Sequence, residues 1–161
     1  MTIDKPEVLK AVIAKLKTAL ETHARAAGDA RDGATDSEVK AENKYDTRST
    51  ESSYLARGHA MHFENLLSDI AELEAYPLPA FTEKDTVQKG ALVGLSLRGY
   101  TDYYIILPKG GGEEVILEDG KTEVCVMTPS APLFENLKGK KLKSKIRVGD
   151  AKFQSTITHL C

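Results

Sequence analysis

Tyr76-Pro77-Leu78-Pro79 divides this chain into two building plans. Two prolines in four residues do not fit a helix interior, because each ring fixes φ and removes a backbone donor. Before this stretch, apolar residues recur at helical spacing. After it, they fall in short alternating runs punctuated by Gly, Asp and Pro. The expected fold class is α+β: a helical first half over 1–76, a linker over 77–85 and a small β domain over 86–161.

Working upstream, Leu9, Ile13, Leu16 and Leu20 step by 4, 3 and 4, and the register continues through His23 and Ala27. Counting back from Leu73, the positions Ile70, Leu66, Phe63, His59 and Ala56 step by 3, 4, 3 and 4. Two such seams joined by a turn predict an antiparallel coiled-coil hairpin. With Leu9 level with Leu73, Leu16 meets Leu66, Leu20 meets Phe63, His23 meets His59 and Ala27 meets Ala56. Large apolar pairs lie at the base and small or polar ones toward the tip, so burial worth roughly 25 cal/mol per Å² of apolar surface is concentrated at the base.

The expected tip, residues 28 to 53, holds seven acids (Asp29, Asp32, Asp36, Glu38, Glu42, Asp46, Glu51) against four bases (Arg31, Lys40, Lys44, Arg48). Gly28 and Gly33 predict a break in the first helix, and Thr35-Asp36-Ser37-Glu38 has the spacing of a capping box that would start a second one. Glu38, Glu42 and Asp46 then share one face, where like charges repel by a few tenths of a kcal/mol per pair. The stripe is either a solvated face balanced by the interleaved bases or a carboxylate cluster for a divalent cation or a basic surface. His23, His59 and His62 leave a similar choice between a polar layer that fixes coiled-coil register and ligands for a transition metal.

Downstream, alternation predicts strands over 91–97, 103–107, 115–117, 123–127, 142–148 and 152–160, with one short helix over 131–137. Gly110-Gly111-Gly112 and Asp119-Gly120 supply turns. No Lys-Ser/Thr pair follows the triple glycine, which reads as a flexible hairpin loop rather than a phosphate cradle. In the basic run Lys138, Lys140, Lys141, Lys143, Lys145 and Arg147, a strand would put Leu142, Ser144 and Ile146 on one side and Lys143, Lys145 and Arg147 on the other. That face is either a soluble sheet edge or an electrostatic dock.

Composition narrows the function. Residues 1 to 76 carry 10 basic and 14 acidic side chains and residues 77 to 161 carry 12 and 10, which argues against a sequence-specific DNA-binding protein with its dominant basic stripe. Two cysteines, Cys125 and Cys161, make no disulfide framework and no Cys-x-x-Cys pair. With no secretion signal and no apolar run of membrane-spanning length, a monomeric cytoplasmic protein with no membrane partner is expected.

A family resemblance rests on particular residues. Glu42-Asn43 followed by Tyr45 in the acidic tip, Val87-Gln88-Lys89-Gly90-Ala91-Leu92-Val93 as a first strand of the β domain, Val124-Cys125-Val126-Met127-Thr128-Pro129-Ser130-Ala131-Pro132-Leu133 as a strand leading through a Ser-Pro turn into a short helix, and Leu137-Lys138-Gly139-Lys140 together resemble the bacterial Gre family of transcript cleavage factors. The resemblance implies a β domain similar to the FKBP-type prolyl isomerase fold, which grips RNA polymerase while the hairpin enters the secondary channel. Tip carboxylates (Glu42 first, then Glu38, Asp36 and Asp46) would help hold a Mg²⁺ supplied at the polymerase active site, with Glu42 and Glu38 as its ligands. Pro129, Ser130, Pro132, Lys143 and Lys145 would meet the partner. The chain would have no cofactor of its own and would be a helper rather than an enzyme.

Departures from the family pattern are equally specific. Val39 stands where an Asp is expected, Tyr45 arrives one residue early, and Tyr45-Asp46-Thr47-Arg48-Ser49-Thr50-Glu51 has no counterpart. A regulator that occupies the channel without cleavage, or inhibits polymerase, therefore stays open beside the cleavage factor, as does a coiled-coil interaction module with another partner. Isomerase activity is disfavoured, since the β half has no Trp and Tyr100, Tyr103, Tyr104, Phe134 and Phe153 form no recognisable pocket motif.

Overall fold

The computed structural model describes residues 3–35, 48–148 and 154–161. Two long helices, α1 (Lys5–Thr35) and α2 (Arg48–Glu74), precede β1 (Leu92–Leu97), β2 (Tyr100–Ile106), β3 (Glu114–Ile116), β4 (Glu123–Met127), α3 (Pro132–Leu137), β5 (Lys145–Arg147) and β6 (Gln154–Leu160). This is the expected α+β class. The chain forms two compact units: Met1–Ala14 together with Glu72–Cys161, and Lys15–Ala71.

In the first unit the strands form one sheet in the order β3-β4-β2-β1-β6-β5. All neighbours are antiparallel except β2 and β4, which run parallel. β1 and β2 are joined by Arg98 and Gly99 with φ of 52° and 90°, the two-residue hairpin whose twist matches that of the strands. β2 therefore begins at Tyr100, three residues earlier than alternation alone predicts. The signal was hidden because Arg, rather than Asn or Asp, holds the first left-handed position.

The core of this unit gathers Val93 and Leu95 of β1, Ile106, Met127, Phe134 and Leu137 of α3, and Ile157 and Leu160 of β6. Phe134 and Leu137 reach it from a helix of six residues, which opens on Pro132 at a position where the missing N–H costs nothing. Gly139, at φ 74°, ends that helix and donates its N–H to Val87 O at 2.9 Å, while Val87 N donates to Lys140 O at 2.8 Å. The Leu137-Lys138-Gly139-Lys140 element thus ties α3 to the segment ahead of β1.

Two expectations for this unit change. Residues 87–91 are not strand. Ala91 N bonds Gln88 O at 3.2 Å and Gly90 turns the chain at φ 83°, so pairing starts at Leu92. The basic run is not one long strand either: Lys143 sits in a turn at φ 68° with its N–H on Ile157 O, and only Lys145–Arg147 pairs with β6.

The first turns of α1 belong to the same unit. Val8 and Val12 are fully buried, whereas Leu9 and Ile13 are half-buried. A narrow 9-13 seam is therefore replaced here by a face centred on 8 and 12, because this part of the helix packs within the sheet-containing unit and needs a broad apolar stripe. Lys5 is buried beside it. Its ammonium donates to Pro79 O and, at 3.2 Å, to Gly90 O, and it lies 4.7 Å from the centroid of the Phe81 ring. Burial lowers its pKa, partly offset by the Cys161 charge. A Cβ on Gly90 would come within 2.5 Å of Pro79 Cδ, so glycine is required there for space as well as for its positive φ.

In the second unit, His23 of α1 lies beside His59 and His62 of α2, with ring centroids 5.9 Å and 5.4 Å apart. This is the register the two seams predict at His23 and His59. Leu16 and Ile70 are buried, while Leu20, Phe63 and Leu66 are half-buried, so apolar burial thins toward the histidines as expected. The Ala27–Ala56 pairing falls on side chains outside those described. Gly28 does not end α1, nor does Gly33; the helix runs through both to Thr35. An isolated helical glycine costs only about 1 kcal/mol relative to alanine, less than a continuous helix of this length recovers. The capping-box residues Asp36, Ser37 and Glu38 lie outside the described residues. Among the described residues, no helix is long and apolar enough to cross a membrane.

Three outcomes follow. Lys5→Met, which leaves the carbonyls of Pro79 and Gly90 without their donor, should cost about 1–3 kcal/mol in denaturant unfolding. A Cβ at Gly28 or Gly58 meets nothing within 4 Å, so Gly28→Ala and Gly58→Ala should each raise stability by about 0.5–1 kcal/mol, read as a higher melting temperature. Burial holds the pKa of His159 below its usual 6.5. Between that lowered value and 6.5 the unfolded chain binds a proton that the native state does not, so stability falls as the solution is acidified through this window. A His159→Gln variant should show a shallower loss between pH 7 and 5 in urea titrations.

Candidate partner-binding surface

The Ser-Pro turn between β4 and α3 is held by local bonds. Ala131 N donates to Thr128 O at 2.9 Å, the Thr128 and Ser130 hydroxyls lie 3.0 Å apart, and Phe134 N donates to Ala131 O at 3.0 Å. Ser130 and Pro132 are exposed and Pro129 is half-buried. The turn is thus rigid in backbone and open to solvent, which suits a contact surface.

Facing it is the triple glycine. Gly110 and Gly112 have φ of 77° and 86°, Gly112 N donates to Val126 O at 2.9 Å, and Val126 N to Glu113 O at 2.7 Å. A Cβ on Gly111 would fall 2.8 Å from Thr128 Cγ2. The segment is a turn, as expected, held by these backbone bonds and packed at Gly111 against Thr128. Between it and the Ser-Pro turn runs an open, mostly apolar groove of about 330 Å³, lined by Tyr104, Gly111, Gly112, Cys125, Val126, Met127, Thr128, Ala131 and Leu133. Sequence reasoning missed the groove because its walls come from β2, the glycine turn and α3, which only the parallel pairing of β2 with β4 brings together.

Tyr104 also borders a second, polar groove of about 430 Å³ with Thr101, Asp102, Tyr103, Glu114, Lys121, Thr122, Glu123 and Cys125. Burial raises the Tyr104 pKa, reinforced by the charges of Asp102, Cys125 and Glu114, so its hydroxyl stays protonated as a donor at neutral pH. The Asp119-Gly120 turn, which leads into the lining residues Lys121 and Thr122, is fixed by the Asp119 carboxylate, which accepts from Lys121 N at 2.9 Å and Thr122 N at 2.8 Å. The Thr122 hydroxyl and these amides hold the Asp119 pKa below the usual carboxylate range.

Lys143 and Lys145 are exposed, as are Lys138, Lys140, Lys141 and Arg147. β5 is the last strand of the sheet, so Lys145 and Arg147 place charge on an open edge, where it also discourages edge-to-edge pairing. The isomerase aromatics do not converge: Phe134 is a core residue, Tyr100 is 80% exposed, and Phe153 lies outside the described residues. The tip positions Asp36, Glu38, Glu42 and Asp46, with Val39, Asn43 and Tyr45, also lie outside the described residues. Among the described residues, no group of three or more His, Cys, Asp or Glu side chains is arranged to hold a metal ion.

No family model matches the chain, and no curated protein matches it. Solved structures similar to it include one described as the transcription factor Gfh1, at 14% identity and a TM-score of 0.36 over 94% of both chains. Two others are GreA factor homolog 1 (Gfh1) of Thermus thermophilus, at 14% identity and a TM-score of 0.35 over 94% of this chain and 96% of that one, and Gfh1 of Thermus aquaticus, at 16% and 0.34 over 94% of both. At such scores the likeness carries no functional argument.

Proposed function

We propose that this chain is an RNA polymerase-binding regulator of transcription elongation, which docks through its β unit and places the acidic segment between α1 and α2 in the polymerase secondary channel. The observation that supports this reading best is the Ser-Pro turn. The residues that carry the family resemblance, Pro129, Ser130 and Pro132, lie in a solvent-facing turn whose neighbours Thr128, Ala131 and Leu133 line an apolar groove, and the helix α3 that follows the turn contacts β5, the basic sheet edge bearing Lys145. An apolar centre with a charged periphery is how protein interfaces are commonly built. Lys143 and Lys145 would then act mainly on the rate of encounter with an acidic partner surface.

In this reading the chain has no cofactor of its own. Glu42 and Glu38 would share a Mg²⁺ at the polymerase site, with Asp36 and Asp46 beside them. Such an ion activates water and stabilises the oxygens of phosphodiester hydrolysis. Val39, where the family pattern has an acid, favours a second form of the same proposal: a regulator that occupies the channel, with weak cleavage or none.

The test is a backtracked elongation complex of purified polymerase with Mg²⁺, following both binding and release of short 3′ RNA. Release that a Glu38→Ala/Glu42→Ala variant loses, with binding kept, identifies a cleavage helper; binding without release identifies the channel-occupying form. Absence of binding returns the chain to an interaction module with some other partner. If the basic edge steers docking, Lys143→Glu/Lys145→Glu should slow association by about 10-fold at low salt, with the difference shrinking as salt is added.

A further inference from the structure

His23, His59 and His62 are three of the four histidines in the chain, and all three meet in the unit Lys15–Ala71. Two helices separated in sequence supply them. His23 and His62 stack with centroids 5.4 Å apart and an interplanar angle of 23°, and His23 and His59 lie 5.9 Å apart at 42°. His59 Nδ1 is buried and has no hydrogen-bond partner. A buried imidazole nitrogen left unpaired costs free energy unless something binds it.

We infer that these imidazoles form a binding site for a borderline transition-metal ion, Zn²⁺ being the representative, which clips α1 to α2. Nitrogen bonds of about 2.0–2.1 Å and tetrahedral angles put the centroids of two imidazoles on one zinc roughly 5 Å apart. The observed 5.4 Å and 5.9 Å are within a small side-chain rotation of that spacing. No ready-made group of three donors exists among the described residues, so the site is an open one: His23 and His62 bridge the helices, His59 turns in as the third nitrogen, and water completes the shell. Imidazole suits Zn²⁺, Ni²⁺ and Cu²⁺, whereas Mg²⁺ prefers oxygen, so this ion is chemically distinct from any Mg²⁺ at a polymerase site. Because the ligands come from both helices and must be deprotonated, binding stabilises the unit and acid reverses it.

Zn²⁺ titration of the full-length chain by calorimetry, paired with thermal melts, tests this. One ion per chain should bind with a Kd on the order of micromolar and raise the melting temperature. His23→Gln and His62→Gln should each weaken binding by about 10-fold or more, while His159→Gln leaves it unchanged. Substituting Co²⁺ should give ligand-field bands without the thiolate-to-cobalt band that Cys125 or Cys161 would produce. A reading independent of folded variants comes from the wild type: Cu²⁺ should broaden the imidazole resonances of His23, His59 and His62 and spare His159. Absence of binding overturns the site, as does binding unchanged in a His23→Gln/His62→Gln variant or broadening confined to His159. Loss of metal-free stability in these variants, with no metal-induced rise in the wild type, would instead make the histidines a register layer only.

Discussion

One buried ammonium organises the unit that carries the candidate surface. Lys5 donates to the carbonyls of Pro79 and Gly90 and lies over Phe81, so the first turn of α1, the proline segment and the turn entering β1 share one fixed point. A buried charge is tolerable only when its donors are satisfied, and carbonyl oxygens together with an aromatic face meet that demand here. Gly90 completes the arrangement by allowing Pro79 to approach where any side chain would collide. The segment where the sequence changes its pattern is therefore held closely by the structure around it.

From that fixed point the sheet follows. β1 leaves the Gly90 turn and is paired at both edges, by β2 and by β6, as a central strand, and Leu92 and Val93 on its opposite faces are both fully buried. Gly94 sits where a Cβ would crowd His159 Cβ at 2.9 Å, and the register of β1 with β6 shifts between Gly94 and Leu95. The His159 ring lies nearly perpendicular to that of Tyr103, with centroids 6.0 Å apart. With β1 fixed, the hairpin through Arg98-Gly99 places β2, and the parallel pairing of β2 with β4 sets the Ser-Pro turn against the triple glycine.

Much of the fold was legible in order and type. All six strands overlap the alternating runs, α3 falls within the expected short helix, and the histidine register between α1 and α2 follows from heptad arithmetic, because these patterns are local. Misreadings occur where one residue adopts a left-handed conformation that its type does not announce, as at Arg98 and Lys143, or where a glycine keeps helical geometry, as at Gly28. The exposed Ser-Pro turn was legible as a motif. The groove beside it was not, since Tyr104, Gly111 and Leu133 have no sequence relation to one another.

The sequence by itself determined the α+β class, the histidine register between α1 and α2 and the chemical character of each surface, because period, charge and turn residues act over a few positions. Tertiary structure decided which apolar face of α1 is buried, what Lys5 is bound to, and that the glycine turn walls a groove. Those depend on contacts between residues as far apart as Lys5 and Gly90, whose favourable energy appears only once the chain has closed the loop between them.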